Sequence, residues 1–180
     1  MIIELSGHGG VGKLTIARIL AERIGARLLD NHTIYNPAFA TTEFRSPEFY
    51  ETVRAVRRIA YDRAVALPAG VPVILTMATG ISPWWTRDCQ DAMRDLADRR
   101  GVALLGVHVH CAVEENIRRI TQPARALLRK LTDPAILTDG LDRPVALDHC
   151  DRMVDLDVTT LSAEAAAGQI ERWALQSPAP

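Results

Sequence analysis

Gly7, Gly12 and Lys13 stand at the spacing G-x-x-x-x-G-K, within the stretch 2–18, IIELSGHGGVGKLTIAR. That pattern suits the binding of a phosphate chain. Gly7, Gly9, Gly10 and Gly12 lack a Cβ, so the backbone can take positive φ and wrap closely round an anion. The N–H groups from Gly7 through Val11 to Gly12 then turn inward as a nest. A helix that follows adds the positive end of its dipole. Lys13 supplies a cation for the β- and γ-phosphates. The next residue is Leu14, where a hydroxyl ligand for Mg²⁺ is usual, and the hydroxyl comes one place later, at Thr15. Thr15 and a carboxylate from elsewhere are therefore the candidates to hold the ion.

Other residues in the chain carry chemistry too. Asp30, Asn31 and His32 follow a short apolar run, 27–29, as at the carboxyl end of a parallel strand, where ligands bind in open α/β sheets. Asp30 can orient a substrate hydroxyl, act as general base, or hold a water on Mg²⁺. His32 can hydrogen-bond a substrate or shuttle a proton. An Asx turn is the competing structural role for Asp30. Arg54, Arg57 and Arg58 lie at i, i+3 and i+4, on one side of a helix, and forked guanidinium groups suit a carboxylate or phosphate on an acceptor. A solvated basic face paired with Glu51 and Asp62 is the alternative. His108 and His110 share one face of a strand, yet no Cys or Glu completes a convincing tetrahedral metal set around them.

Alternating elements are needed to position these groups. Residues 2–6 read as a buried strand, and Lys13 to Ile24 as a helix with Ile16, Ile19, Leu20 and Ile24 on its apolar face. Gly25 stops that helix. Residues 33–45 show no clear period and are expected to form a loop or short turns. Ser46 and Pro47 have the types of an N-cap and first helical residue, with Phe49, Val53, Val56 and Ala60 as the apolar stripe beyond. The run 71–77, VPVILTM, reads as a central strand. It ends through Thr76 to Gly80 with no acidic residue, which speaks against an ATPase motor and leaves Asp30 as the metal candidate. Ser82 and Pro83 open a helix to about Arg100, with Trp84 and Trp85 at its start, as packing or as a pocket wall. A strand over 102–110 follows.

Residues 113–130 then read as helix, break at Pro123, and second basic helix, carrying Arg118, Arg119, Arg125, Arg129 and Lys130. Cations on a segment that can move are what phosphoryl transfer requires. After an irregular stretch, 153–158 alternates as a last strand, and Ser162 caps a final helix packed through Ile170, Trp173 and Ala174. Strand–helix alternation along the whole chain predicts a parallel sheet with helices on both faces.

At 180 residues the chain is expected to be one domain over 1–176, with a frayed tail at 177–180. A net charge of −1 offers no electrostatic case for nucleic acid or an acidic membrane surface. No run is long enough to span a membrane. Cys89, Cys111 and Cys150 are widely spaced and odd in number, as for reduced structural thiols in a cytoplasmic protein.

On these residues the chain resembles the P-loop small-molecule kinases, the group of shikimate kinases, adenylate kinases and chloramphenicol phosphotransferases. GHGGVGKLT is similar to the adenylate-kinase loop, where the residue after lysine also lacks a hydroxyl and Thr follows. LLDNH resembles the segment in which shikimate kinases carry an Asp for substrate and metal. The resemblance implies a three-layer P-loop NTPase fold with a five-stranded parallel sheet and a short helical lid at about 117–135. It implies that Arg119 or Arg125 approaches the phosphates, and that one of Arg54, Arg57 and Arg58 meets the substrate. The strand end TMATG lacks the glycine triplet of shikimate kinases, which argues against shikimate itself. The expected activity is ATP-dependent, Mg²⁺-assisted phosphorylation of a small-molecule hydroxyl. A nucleoside monophosphate kinase and a non-catalytic nucleotide switch are the alternatives. A monomer or a homodimer fits equally.

Overall fold

Ile2–Gly7 is β1, and all six of its residues are buried. It is the centre of a five-stranded, wholly parallel sheet in the order β2-β3-β1-β4-β5. The other strands are β2 (Arg27–Leu29), β3 (Val73–Ala78), β4 (Leu104–His110) and β5 (Arg152–Asp157). The computed structural model describes residues 1–79, 82–122 and 147–176. Within them the helices are α1 (Lys13–Ile24), α2 (Asn31–Thr41), α3 (Pro47–Val65), α4 (Pro83–Arg100), α5 (Val113–Ile120) and α6 (Ala163–Leu175). None of these helices is long and apolar enough to cross a membrane.

Parallel strands demand crossovers, and the helices cover both faces. The two-residue period of β1 sorts its side chains accordingly. Ile2 packs with Leu75 and Met77 against α2, α3 and α4, where Phe49, Val53, Trp85 and Leu96 are buried. Ile3 and Leu5 pack with Ile74 and Val107 against Ile16 and Leu20 of α1 and Ala166 and Ile170 of α6. Thus α1, which leaves β1, and α4, which leaves β3, lie on opposite faces of adjacent strands. That divergence opens a crevice beyond the carboxyl ends of β1 and β3.

Several local signals act as expected. Ser46 Oγ accepts from the Phe49 N–H at 3.1 Å, and Pro47 opens α3. Gly25 and Gly101 close α1 and α4 in the left-handed region, with φ of 64° and 61°. Pro83 opens α4, but Ser82 makes no capping bond. The clear departure is 33–45, where a helix, α2, stands in place of the expected loop. Its apolar pattern is thin, with Ile34, Tyr35 and Ala38 as its buried residues, and Pro37 interrupts it. Packing on α3 and the cap from Asp30 sustain the helix, and neither is visible as a period. The expected second basic helix, most of the lid, Gly80 and the tail at 177–180 lie outside the described residues.

Candidate phosphate and acceptor site

The loop between β1 and α1 has the backbone that its glycines permit. Gly7, Gly10 and Gly12 hold φ of 150°, 100° and 100°. Space enforces two of them. A Cβ on Gly7 would strike the Val109 carbonyl oxygen of β4, and one on Gly10 would strike Asn116 and Ile120 of α5. The first intrahelical bond of α1 runs from Ile16 N–H to Gly12 O at 3.1 Å. The N–H groups of Leu14 and Thr15 precede it and have no intrahelical acceptor. Lys13 folds back over the loop, its Nζ donating to Gly7 O at 2.6 Å and His8 O at 2.7 Å. Loop, ammonium and helix terminus therefore meet at the crevice, in the arrangement that fits a phosphate chain. Val11 is buried and Thr15 exposed.

Sequence reasoning passed over two residues at this loop. His8 sits within it, and burial, then Lys13 and His108, hold its pKa below the usual 6.5. Asn116 is 1% exposed against Gly10, and neither its Oδ1 nor its Nδ2 has a hydrogen-bond partner among the described residues. A mid-helix Asn in a basic stretch gave no hint of burial.

Arg119 reaches the loop from α5. Its Nη1 donates to Val11 O at 3.2 Å, Nη2 to Val158 O at 2.9 Å and Nε to Glu115 Oε1 at 2.6 Å. Arg118 and Arg119 together draw the Glu115 carboxyl down to about 2. Arg119 thus braces the loop from its carbonyl side. Arg125 lies outside the described residues.

Asp30 caps α2. Oδ1 accepts from His32 N–H at 2.8 Å, and Oδ2 from the Thr33 hydroxyl at 3.0 Å. The cap places Asp30 and His32 beyond β2, at the carboxyl edge of the sheet. Thr76 Oγ1, at the end of β3, accepts from Asn31 N–H at 2.9 Å and ties α2 to that edge. Thr79 N–H donates to Gly7 O at 3.1 Å, which joins the end of β3 to the loop between β1 and α1.

A small cavity lies under α2, α3 and α4 at this edge, with Asn31, Tyr35, Arg57, Tyr61, Thr76 and Cys89 among its walls. Arg57 is the one arginine of its cluster that lines it. Asp88 of α4 receives Arg57 Nη2 at 2.6 Å and Arg54 Nη2 at 2.7 Å, whereas Asp62 pairs with Arg99. Burial works against the Arg57 charge, yet the Asp88 bond keeps its pKa above the ordinary value. Arg58 is exposed and outside this set. Burial raises the Tyr35 and Tyr61 hydroxyls and the Cys89 thiol, so all three keep their protons. Trp85 is buried and donates Nε1–H to the Tyr35 hydroxyl at 2.7 Å, while Trp84 is half exposed beside Tyr50. His108 pairs through Nδ1 with Asp155 at 2.8 Å.

No family model matches the sequence, and neither does any curated protein. Solved structures do match the fold. The APS kinase of Mycobacterium tuberculosis, in complex with AMPPNP and APS, is 16% identical, with 97% of each chain covered and a TM-score of 0.62. The shikimate kinase of Acinetobacter baumannii, in complex with shikimate, is 21% identical, with 97% of this chain and 92% of that one covered and a TM-score of 0.61. A sugar kinase from Janibacter is 18% identical, with 96% and 93% covered and a TM-score of 0.59. The chain has the fold of the P-loop kinases.

Proposed function

We propose that this protein is an ATP-dependent phosphotransferase whose acceptor is a hydroxyl on a small molecule. One observation carries the reading. The glycine loop, with Lys13 turned over it, shares the sheet's carboxyl edge with Asp30 and His32, which lie beside a small, mostly apolar cavity that is not part of the loop. Donor and acceptor sites side by side are what group transfer needs. The neighbours of like fold include kinases solved with a nucleotide analogue or an acceptor bound, which supports the same division.

In this reading Gly7, Gly9, Gly10, Val11, Gly12, Leu14 and Thr15 hold the phosphates through backbone N–H groups. Lys13 leaves its loop carbonyls for the β- and γ-phosphate oxygens and neutralises charge as transfer proceeds. Thr15 and Asp30 are the residues that would hold Mg²⁺, and each Asp30 oxygen retains lone-pair capacity beyond its one capping bond. Bound there, the ion would offset the negative charge of the phosphates. Asp30 and His32 orient the acceptor hydroxyl, and Asp30 accepts its proton. Arg57, fixed by Asp88, faces the acceptor, with Arg54 at the rim and Arg58 farther out. Arg119 keeps the loop in shape, and its guanidinium has further N–H donors that can meet a phosphate oxygen. Arg125 is the second lid cation.

The reading is tested by ATP consumption with Mg²⁺ against hydroxylated metabolites, aminoglycoside and phenicol antibiotics, and nucleoside monophosphates. An acceptor that lifts turnover far above background establishes the activity and names the acceptor class. Tight ATP binding with flat turnover across the panel would sink it in favour of a nucleotide-responsive switch.

A further inference from the structure

Glu4 stands in the middle of the central strand and is 0% exposed. A carboxylate so placed is costly unless other groups satisfy it. Its neighbours come from the turn that precedes β5. His149 Nε2 lies 2.6 Å from Glu4 Oε2. Cys150 Sγ lies 3.6 Å from that nitrogen and 3.8 Å from that oxygen. Glu4 Oε1 and His149 Nδ1 are also buried, and no described residue hydrogen-bonds them.

The surroundings are built to admit this turn. Gly106 of β4 pairs in register with Glu4, and a Cβ there would come within 2.8 Å of Cys150 Sγ and 3.0 Å of Leu147. Asp151 holds the turn in place by accepting from Leu104 N–H at 2.7 Å and from Arg94 at 3.1 Å. The donors therefore sit on a strand and on a turn that is bonded to the next strand.

We propose that Glu4, His149 and Cys150 form a binding site for one zinc-class divalent cation, separate from the phosphate loop. The chemistry of the donors selects the ion. A thiolate and an imidazole favour Zn²⁺ over Mg²⁺, and a carboxylate is compatible with both. Tetrahedral zinc with bonds of about 2.0–2.3 Å places its donors roughly 3.3–3.6 Å apart. The two edges to sulfur, 3.6 and 3.8 Å, are already close to that. The third, 2.6 Å, is a proton-sharing distance, and it widens when the ion takes the proton's place. Binding sends the Cys150 thiol proton to solvent and moves the proton shared with Glu4 off His149 Nε2, so that the neutral imidazole carries its proton on Nδ1. No other His, Cys, Asp or Glu among the described residues joins the cluster, so the fourth position takes water. Glu4 precedes Gly7 by three residues, about 10 Å along a strand, so the ion would not contact the phosphates. It would staple β1 to the turn that leads into β5.

The test uses the full chain, reduced, free of nucleotide and chelator, titrated with Co²⁺ and then Zn²⁺. A single equivalent of Co²⁺ gives a thiolate-to-cobalt charge-transfer band that Zn²⁺ abolishes. Cys150→Ser removes the band, whereas Cys89→Ser and Cys111→Ser keep it. Zn²⁺ affinity drops about tenfold or more in Cys150→Ser, since a direct ligand should matter at least as much as its supporting partners do. Glu4→Gln weakens Zn²⁺ similarly and retains the band. Cys150→Ser is nearly isosteric and decides the matter even where Glu4→Gln does not fold. No charge-transfer band in the folded wild-type chain, or a band that survives Cys150→Ser, overturns the site and leaves a buried Glu4–His149 pair beside a thiol.

Discussion

Lys13 is tethered to the carbonyls of its own loop, at the sheet's edge. Lys13→Ala should therefore leave the circular dichroism and melting temperature near wild type. ATP turnover should fall about a hundredfold or more, the scale of losing one charge-stabilising donor. Turnover near wild type would remove the lysine from the phosphate site. Asp30 has two roles that substitutions can separate. Asn can still cap α2, so Asp30→Asn should spare stability and ATP binding while lowering acceptor phosphorylation. Asp30→Ala should lose about 1 kcal/mol as well, the usual value of an N-cap. Equal phosphorylation in Asp30→Asn and wild type would reduce Asp30 to a helix cap. His8 gives a pH dependence whose sign is determined. Its folded pKa lies below the ordinary 6.5, because burial, Lys13 and His108 all disfavour the imidazolium. Between the two values the unfolded chain binds a proton that the folded chain does not. Stability is then lost as pH falls through 6.5 toward the lowered value. Urea denaturation across that range should show a shallower decline in His8→Gln, and an identical decline would assign the titration to another group.

Between elements, α5 packs closely on the loop that joins β1 to α1. Gly10→Ala puts a methyl group into Asn116 and Ile120 and strains a φ of 100°. Nucleotide affinity, read by calorimetry, should drop sharply in this variant. Gly70→Ala meets no atom within 4 Å and serves as the control, with affinity unchanged. Equal affinities in the two variants would mean that the loop relaxes away from α5 without cost to binding. The helices also differ in how openly they are written. Ser46, Pro47, Gly25 and Gly101 act through bonds or dihedrals within a few residues, and each marks a boundary that the structure shares. α2 has Pro37 inside it and few buried side chains, and the hydroxyls of Thr41 and of its C-cap Thr42 bond back to Pro37 O and Ala38 O. It forms because α3 is there to receive it.

Across the whole molecule, the central sheet carries a polar group where an aliphatic residue would be ordinary. Removing the imidazole as His149→Leu leaves Glu4 buried with only the Cys150 thiol beside it. Breaking a buried pair in this way costs about 3–5 kcal/mol, which equilibrium urea unfolding would register. A loss well under 1 kcal/mol would show that Glu4 finds another hydrogen-bond partner in the variant. The likeness to kinases of 16–21% identity makes a related point. The fold persists where few side chains do, because a parallel sheet with crossovers on both faces tolerates many apolar sets.

The order of the five strands, the glycine turn from β1 into α1, and most helix ends were determined by the sequence alone. Glycine spacing, capping residues and apolar period act locally, so a one-dimensional reading carries them. The tertiary structure decided which of those residues meet. It gave Asp88 to Arg54 and Arg57 in place of Glu51 and Asp62, buried Trp85 while exposing Trp84, and set Arg119 on the Val11 carbonyl. It also brought His149 and Cys150 to Glu4 across more than 140 residues of chain. Such pairings follow from how strands align and faces pack, and no local propensity encodes them.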